Sequence, residues 1–255
     1  MSNYICWFSG TGNSLYAAKL LAESLPGALL VSMSTPPTDL EPMGGSGSSI
    51  GFVFPSYYGD LPRIVRAFVE KLTILPGADV FVLVTMGALG QGAVKAMADL
   101  LAEKGQSLRY GTGVRMLANY IISYDPALFG AAADRRVHAQ LDRAGKKIKR
   151  IAGDIAAGKQ TITTNRLTAK TLYENIPALD ANFAATNACT GCGLCSKICP
   201  VQNIVPVDGK PHWLHHCEHC VACISWCPAE AIQYGQKTAR RTRYRNPRID
   251  RAELM

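Results

Sequence analysis

Cysteine is nearly missing from the first three quarters of this chain. Cys6 is the sole cysteine before Cys189, and eight more follow by Cys227. That distribution argues against a secreted disulfide framework. Clustering at two-residue spacings points instead to metal, in a compartment where thiols stay reduced. Long apolar runs are lacking too. The uncharged stretch Val80–Val94 is 15 residues long, contains three glycines, and falls short of the roughly 20 residues a membrane span requires. Residues 1–18 carry no charge, hence no basic leader region, and they break at a Ser/Gly/Thr turn. A secretory signal is therefore not expected, and the cytoplasm is the expected compartment. No Ser/His/Asp set or carboxylate pair stands out, so no acid–base catalyst is assigned.

What remains is an ordinary globular composition. The 255 residues are 48% hydrophobic and 18% charged, enough for one large domain and one small one. The net charge of +8 is uneven. Residues 236–255 hold seven Lys/Arg against two Asp/Glu, a tail expected to be solvated and poorly ordered.

Residues 1–157 alternate strand and helix. Strands are expected at Asn3–Phe8, Ala28–Met33, Ile50–Phe54, Asp79–Met86 and Leu108–Leu117. Helices are expected at Ser14–Leu25, Leu61–Leu72, Gln91–Lys104 and Ala131–Ala157. Near-continuous apolar strands separated by helices imply an α/β domain, its parallel sheet covered on both faces. A Pro- and Gly/Ser-rich loop covers 34–49. Residues 158–182 show no clear period and read as a connector. The composition then turns to Cys, Gly, Pro and His, too poor in aliphatics for a sizeable core, so the module at 183–235 needs metal to hold its shape.

Within that module CTGCGLCSKICPVQNI (189–204) and CEHCVACISWCPAEAI (217–232) match at four cysteines, a proline and a final isoleucine, 28 residues apart. Each copy is C-x2-C-x2-C-x3-C-P, an iron–sulfur ligation pattern. Zinc ribbons also use C-x2-C pairs, but zinc needs neither the third cysteine nor Cys-Pro in both copies. The segment resembles a bacterial-type dicluster ferredoxin. The resemblance implies two [4Fe–4S] clusters, each taking its fourth ligand from the other motif: Cys189, Cys192, Cys195 and Cys227 for one, Cys217, Cys220, Cys223 and Cys199 for the other. His212, His215, His216 and His219 crowd the second motif in loop or supporting roles. Trp226 is read as packing, and Cys6 as an inert core residue.

Ser9-Gly10-Thr11-Gly12-Asn13-Ser14 follows the first strand and opens the first helix, where amides, hydroxyls and a helix N-terminus make a phosphate site. It lacks the lysine of a nucleoside-triphosphate P-loop and the G-x-G-x-x-G spacing of dinucleotide folds. It resembles the T/S-x-T-G-x-T loop of flavodoxins, with Ser14 in the usual threonine place. A flavodoxin-like, doubly wound sheet of order 2-1-3-4-5 would put a ligand at its switch point. Two further loops sit at strand ends. Pro55, Ser56, Tyr57, Tyr58 and Gly59 offer aromatic faces; Thr85, Met86, Gly87, Gly90 and Gly92 offer close backbone approach. Over residues 1–235 the chain is similar to the flavodoxin–ferredoxin fusion family of anaerobic bacteria and archaea. Membership implies non-covalent FMN, with Asn119 and Tyr120 bordering the flavin. Two departures stand out: free flavodoxins are acidic whereas this chain is basic, and the loop after the fourth strand lacks their usual acidic and aromatic residues. A less negative surround raises the flavin potential.

The expected function is intracellular electron transfer among FMN, the clusters and a redox partner. That partner is an acidic protein (a ferredoxin, a flavodoxin or an oxidoreductase) drawn to the basic tail. An FMN-dependent reductase of a small molecule or protein-bound cofactor, fed by the clusters, is the alternative. A metal-stapled nucleic-acid-binding or structural protein is disfavoured by the paired cysteine spacing, and no membrane span is expected.

Overall fold

A computed structural model describes residues 3–34, 40–88, 90–164 and 176–255. Parts of the expected 34–49 loop and 158–182 connector, and Leu89 after the fourth strand, lie outside them. The described residues form two compact units. One comprises 3–8, 14–116 and 140–164; the other comprises 9–13, 117–139 and 176–255.

The first unit is built on a six-stranded sheet. Its strands are β1 (Asn3–Trp7), β2 (Ala28–Ser32), β4 (Ser49–Pro55), β6 (Asp79–Met86), β7 (Leu108–Arg115) and β8 (Thr161–Ile162), in the order β2-β1-β4-β6-β7-β8. All neighbours are parallel. Among the described residues, two-residue strands β3 (Met43–Gly44) and β5 (Ile74–Leu75) pair only with each other. Counting the five long strands alone gives 2-1-3-4-5, the flavodoxin-like order. β8 adds an edge within the expected connector, where two residues are too few to show a period.

Helices α1 (Asn13–Ser24), α2 (Arg63–Lys71), α3 (Gly92–Glu103) and α4 (Asp134–Ala156) follow the expected apolar spacing to within a few residues. α2 shows the cause plainly. Pro62 precedes its first turn, Ile64, Val65, Phe68 and Val69 are buried along one side, and Lys71 sits in the last turn where the helix dipole favours a cation. In β4 and β6, both faces are covered, so five and six consecutive residues respectively are buried. Among the described residues, no helix is long and apolar enough to cross a membrane.

In the second unit, two antiparallel pairs frame a small core. β10 (Ile204–Val207) and β11 (Lys210–Trp213) form a hairpin between the cysteine motifs; β9 (Phe183–Ala185) pairs with β12 (Ile232–Tyr234). The hairpin turns at Asp208 and Gly209, both at positive φ (48° and 74°), as a type I′ turn demands. Phe183 stacks on Trp213 at 5.7 Å and meets Tyr234 edge-on at 4.9 Å. Ile204 and Ile232, the matching last residues of the duplicated motif, lie in the same core.

The expectation of a solvated tail is overturned. Thr238, Tyr244, Asn246, Ile249 and Leu254 are buried. Arg241 donates to the carbonyls of Ile121 and Ile122 at 2.7 Å, and the Thr242 amide donates to Asp125 at 3.0 Å. High charge disguised a segment whose apolar and amide side chains turn inward.

A Cβ at Gly51, in β4, would run into the buried ring of Phe81. Gly51→Ala is expected to cost about 1–3 kcal/mol by overpacking, read as a lower urea midpoint with an unchanged m-value.

Candidate cofactor sites

The cysteine motifs repeat in backbone as well as in sequence. Gly191, Gly193 and Gln202 have φ of 70°, 71° and 52°; their partners 28 residues later, His219, Val221 and Glu230, have 57°, 56° and 48°. Left-handed turns between successive cysteines curl the chain so that thiols at i, i+3 and i+6 face one centre. The first copy meets this with glycine at two positions. The second holds histidine and a β-branched valine there, a strained conformation maintained only by its surroundings. Those surroundings are substantial: His219 and Val221 are 3% and 4% exposed.

The curls open onto two cavities. Cys189, Cys192, Cys195 and Cys227 line one, with Gly191, Gly193, Pro228 and Ile232. Cys199, Cys217, Cys220 and Cys223 line the other, with Phe183, Trp213 and Val221. The structure thus gathers three cysteines of each motif with the fourth of the other. Two amides aim at sulfur: Asn203 N–H donates to Cys199 Sγ and His219 N–H to Cys217 Sγ, both at 3.2 Å. Burial pushes the Cys195 thiol up to about 11 and the Cys217 thiol up to about 12, and raises Cys220 and Cys223 well above the free value. Ionising these sulfurs inside the protein needs a compensating cationic centre.

A polar network supports the second cavity. Asp180 is fully buried. Its carboxylate accepts from Asn203 Nδ2 at 2.8 Å and His215 N–H at 3.0 Å, and lies 2.6 Å from His215 Nδ1. Asn203 Oδ1 in turn accepts from His216 N–H at 2.7 Å. Sequence reading gave the histidines supporting roles and missed Asp180, which sits outside both motifs.

The glycine loop Ser9–Asn13 belongs to this same unit. Ser9 Oγ accepts from Gly12 N–H at 3.1 Å, and Asn119 Nδ2 donates to Thr11 Oγ1 at 2.6 Å. Trp226, expected only to pack, donates its indole N–H to the Gly10 carbonyl at 3.1 Å. A Cβ on Gly10 would overlap the Cys220 carbonyl oxygen, so backbone touches backbone there. Tyr120 turns elsewhere: its hydroxyl is 2.7 Å from His219 Nδ1, between Cys217 and Cys220.

In the first unit, the loops after β4 and β6 converge. Ser14 and Thr85 hydroxyls are 2.7 Å apart, Ser56 N–H donates to the Thr85 carbonyl at 2.9 Å, and a Cβ on Gly90 would lie 2.8 Å from that of Ser56. Ser56 Oγ is buried with no hydrogen-bond partner among the described residues. Tyr57 meets Phe8 edge-on at 6.0 Å, and Tyr58 and Gly59 take positive φ. Pro55 ends β4, Met86 ends β6, Gly87 is exposed and Gly92 begins α3. Cys6 is wholly buried and its thiol is pushed up to about 12, as expected of an inert core residue.

Residues 188–232 match the family described as 4Fe-4S dicluster domain. No curated protein matches the chain. Similar solved structures include an FMN-dependent NADH-azoreductase from Bacillus anthracis str. Ames Ancestor in complex with FMN, at 12% identity and TM-score 0.39, covering 61% of this chain and 100% of that one. Rubredoxin oxygen:oxidoreductase from the anaerobe Desulfovibrio gigas gives 13% and 0.38, covering 62% of this chain and 36% of that one. A flavodoxin from the domain Archaea gives 12% and 0.31, covering 60% and 99%. At such scores the fold assignment rests on the strand order itself.

Gly193 has open space around its Cβ position, so Gly193→Ala isolates the backbone demand. It is expected to cost about 1–2 kcal/mol, seen as a lower thermal midpoint of the anaerobically handled protein.

Proposed function

We propose that this chain, a flavodoxin-like sheet joined to a 4Fe–4S dicluster domain, is an intracellular electron-transfer flavoprotein holding FMN and two [4Fe–4S] clusters. One observation carries the reading. The loop with the features of a phosphate site meets the second cysteine motif without an intervening side chain, at Gly10 and Cys220. When bound, FMN accepts two electrons and releases them singly, and each cluster carries one.

Cys189, Cys192, Cys195 and Cys227 would hold one cluster, and Cys199, Cys217, Cys220 and Cys223 the other. The fit is supported by two cavities with four sulfurs each and by amides directed at Cys199 and Cys217. The sequence resemblance assigns Ser9, Gly10, Thr11, Gly12, Asn13 and Ser14 to the FMN phosphate, and Pro55, Ser56, Tyr57, Tyr58, Gly59, Thr85, Met86, Gly87, Gly90 and Gly92 to the ring. The buried hydroxyl of Ser56, lacking a partner among the described residues, suits a ring hydrogen bond. Asn119, bonded to Thr11, would steady the loop, whereas Tyr120 supports the cysteine motif through His219.

The acidic redox partner needs a basic surface. Arg241 and Arg243 of the tail donate to backbone carbonyls, which favours α4 as the docking face. Arg143, Lys146, Lys149 and Arg150 are exposed along it. Burial, with Arg150 and Arg115 nearby, holds the Lys147 ammonium below its ordinary value.

Anaerobic purification followed by metal and flavin counting is expected to give about eight irons and one FMN per chain. A colourless protein, or one containing zinc and no flavin, would overturn the reading. Electron transfer to an acidic ferredoxin should slow steeply as ionic strength rises; a rate indifferent to salt in stopped-flow traces removes the docking surface but leaves the cofactors.

A further inference from the structure

The C-terminal segment alternates with a period of two as it passes the glycine loop. Its odd residues face the short helix Ala222–Trp226, which carries Cys223. Arg243 donates to the Ile224 carbonyl at 2.9 Å and to the Glu230 carbonyl at 3.2 Å, and the Arg245 guanidinium lies 6.0 Å from the Trp226 ring centre. Its even residues face the loop. Tyr244 donates its hydroxyl to Asn13 Oδ1 at 2.8 Å, and Asn246 Nδ2 donates to that same oxygen at 3.1 Å. The Asn246 amide N–H also donates to the Thr11 carbonyl at 2.8 Å.

These contacts are buried, Tyr244 being 3% and Asn246 1% exposed. Gly12 stands at φ +94°, and a Cβ there would lie 3.0 Å from the Asn246 Cβ and 3.2 Å from that of Ile249. The segment therefore fills the space that Gly12 leaves. Two donors on one acceptor fix the Asn13 amide, and Asn13 is the first residue of α1. The conformation of this loop decides where the N–H groups at the helix start point.

We propose that Arg243–Asn246 is a two-faced brace. One face grips the cysteine-bearing helix; the other sets the phosphate-binding form of Ser9–Asn13. Tyr244 and Asn246 are then positioning residues for the FMN phosphate, acting through Asn13 and Thr11. The proposal rests on the FMN reading above and adds to it a wall that lies more than 230 residues away in sequence.

The test compares FMN with riboflavin, which lacks the phosphate, by flavin-fluorescence titration of the full chain purified anaerobically. Tyr244→Phe removes one hydroxyl and Asn246→Ala the amide. Each is expected to weaken FMN binding about three- to tenfold, leave riboflavin binding unchanged and retain wild-type iron content. A merely structural role would weaken both flavins alike, so an unchanged FMN-to-riboflavin affinity ratio in both variants overturns the brace. Should Asn246→Ala fail to fold and lose its iron, Tyr244→Phe alone decides by the same ratio. Failure of the wild-type chain to bind either flavin overturns the FMN reading itself. Wild-type affinity that is equal for the two flavins overturns the phosphate role while leaving a flavin site.

Discussion

Five residues, Ser9–Asn13, set a constraint that the second unit is built around. Two of them are glycines with no spare volume: the Cys220 backbone presses on Gly10, and Asn246 with Ile249 presses on Gly12. The loop's polar groups are met from three separate places in the chain: Asn119, Trp226, and the segment that carries Tyr244 and Asn246. A larger side chain at either glycine would have to displace backbone or a buried residue, and close-packed interiors do not yield cheaply.

The cysteine-bearing part solves a different problem. Its core is small and dominated by Phe183, Trp213 and Tyr234, too little to fix a chain of this length without help. Symmetry supplies part of the order, since the duplicated motif places Ile204 and Ile232 in one core and repeats three left-handed residues. Asp180 supplies more, joining the hairpin and the second motif through Asn203 and His215. Thiols pushed upward by burial complete the picture, for their packing is compatible with thiolates only when a cation lies among them.

Much of this was legible in the sequence. The period and apolar content of the strands gave the sheet, because parallel strands buried on both faces leave an unmistakable run such as DVFVLVTM. The cysteine spacing groups the sulfurs as the two cavities do. Besides Asp180, three features were not legible. β8 is too short for a period. The left-handed residues His219 and Val221 contradict local preference and emerge only from alignment with Gly191 and Gly193. The tail was misread because seven cations in twenty residues resemble a solvated end, while the inward-facing Tyr244, Asn246 and Ile249 find their partners more than two hundred residues upstream, where no local rule reaches.

That distance gives the loop a history during synthesis. Asn13 is made 231 residues before Tyr244 and 233 before Asn246, a wait of about 10–50 s at common ribosomal speeds. The first strands of the sheet are translated long before these contacts become available. Final ordering of the loop is thus a late event in the birth of the molecule, reserved for a polypeptide translated through Asn246.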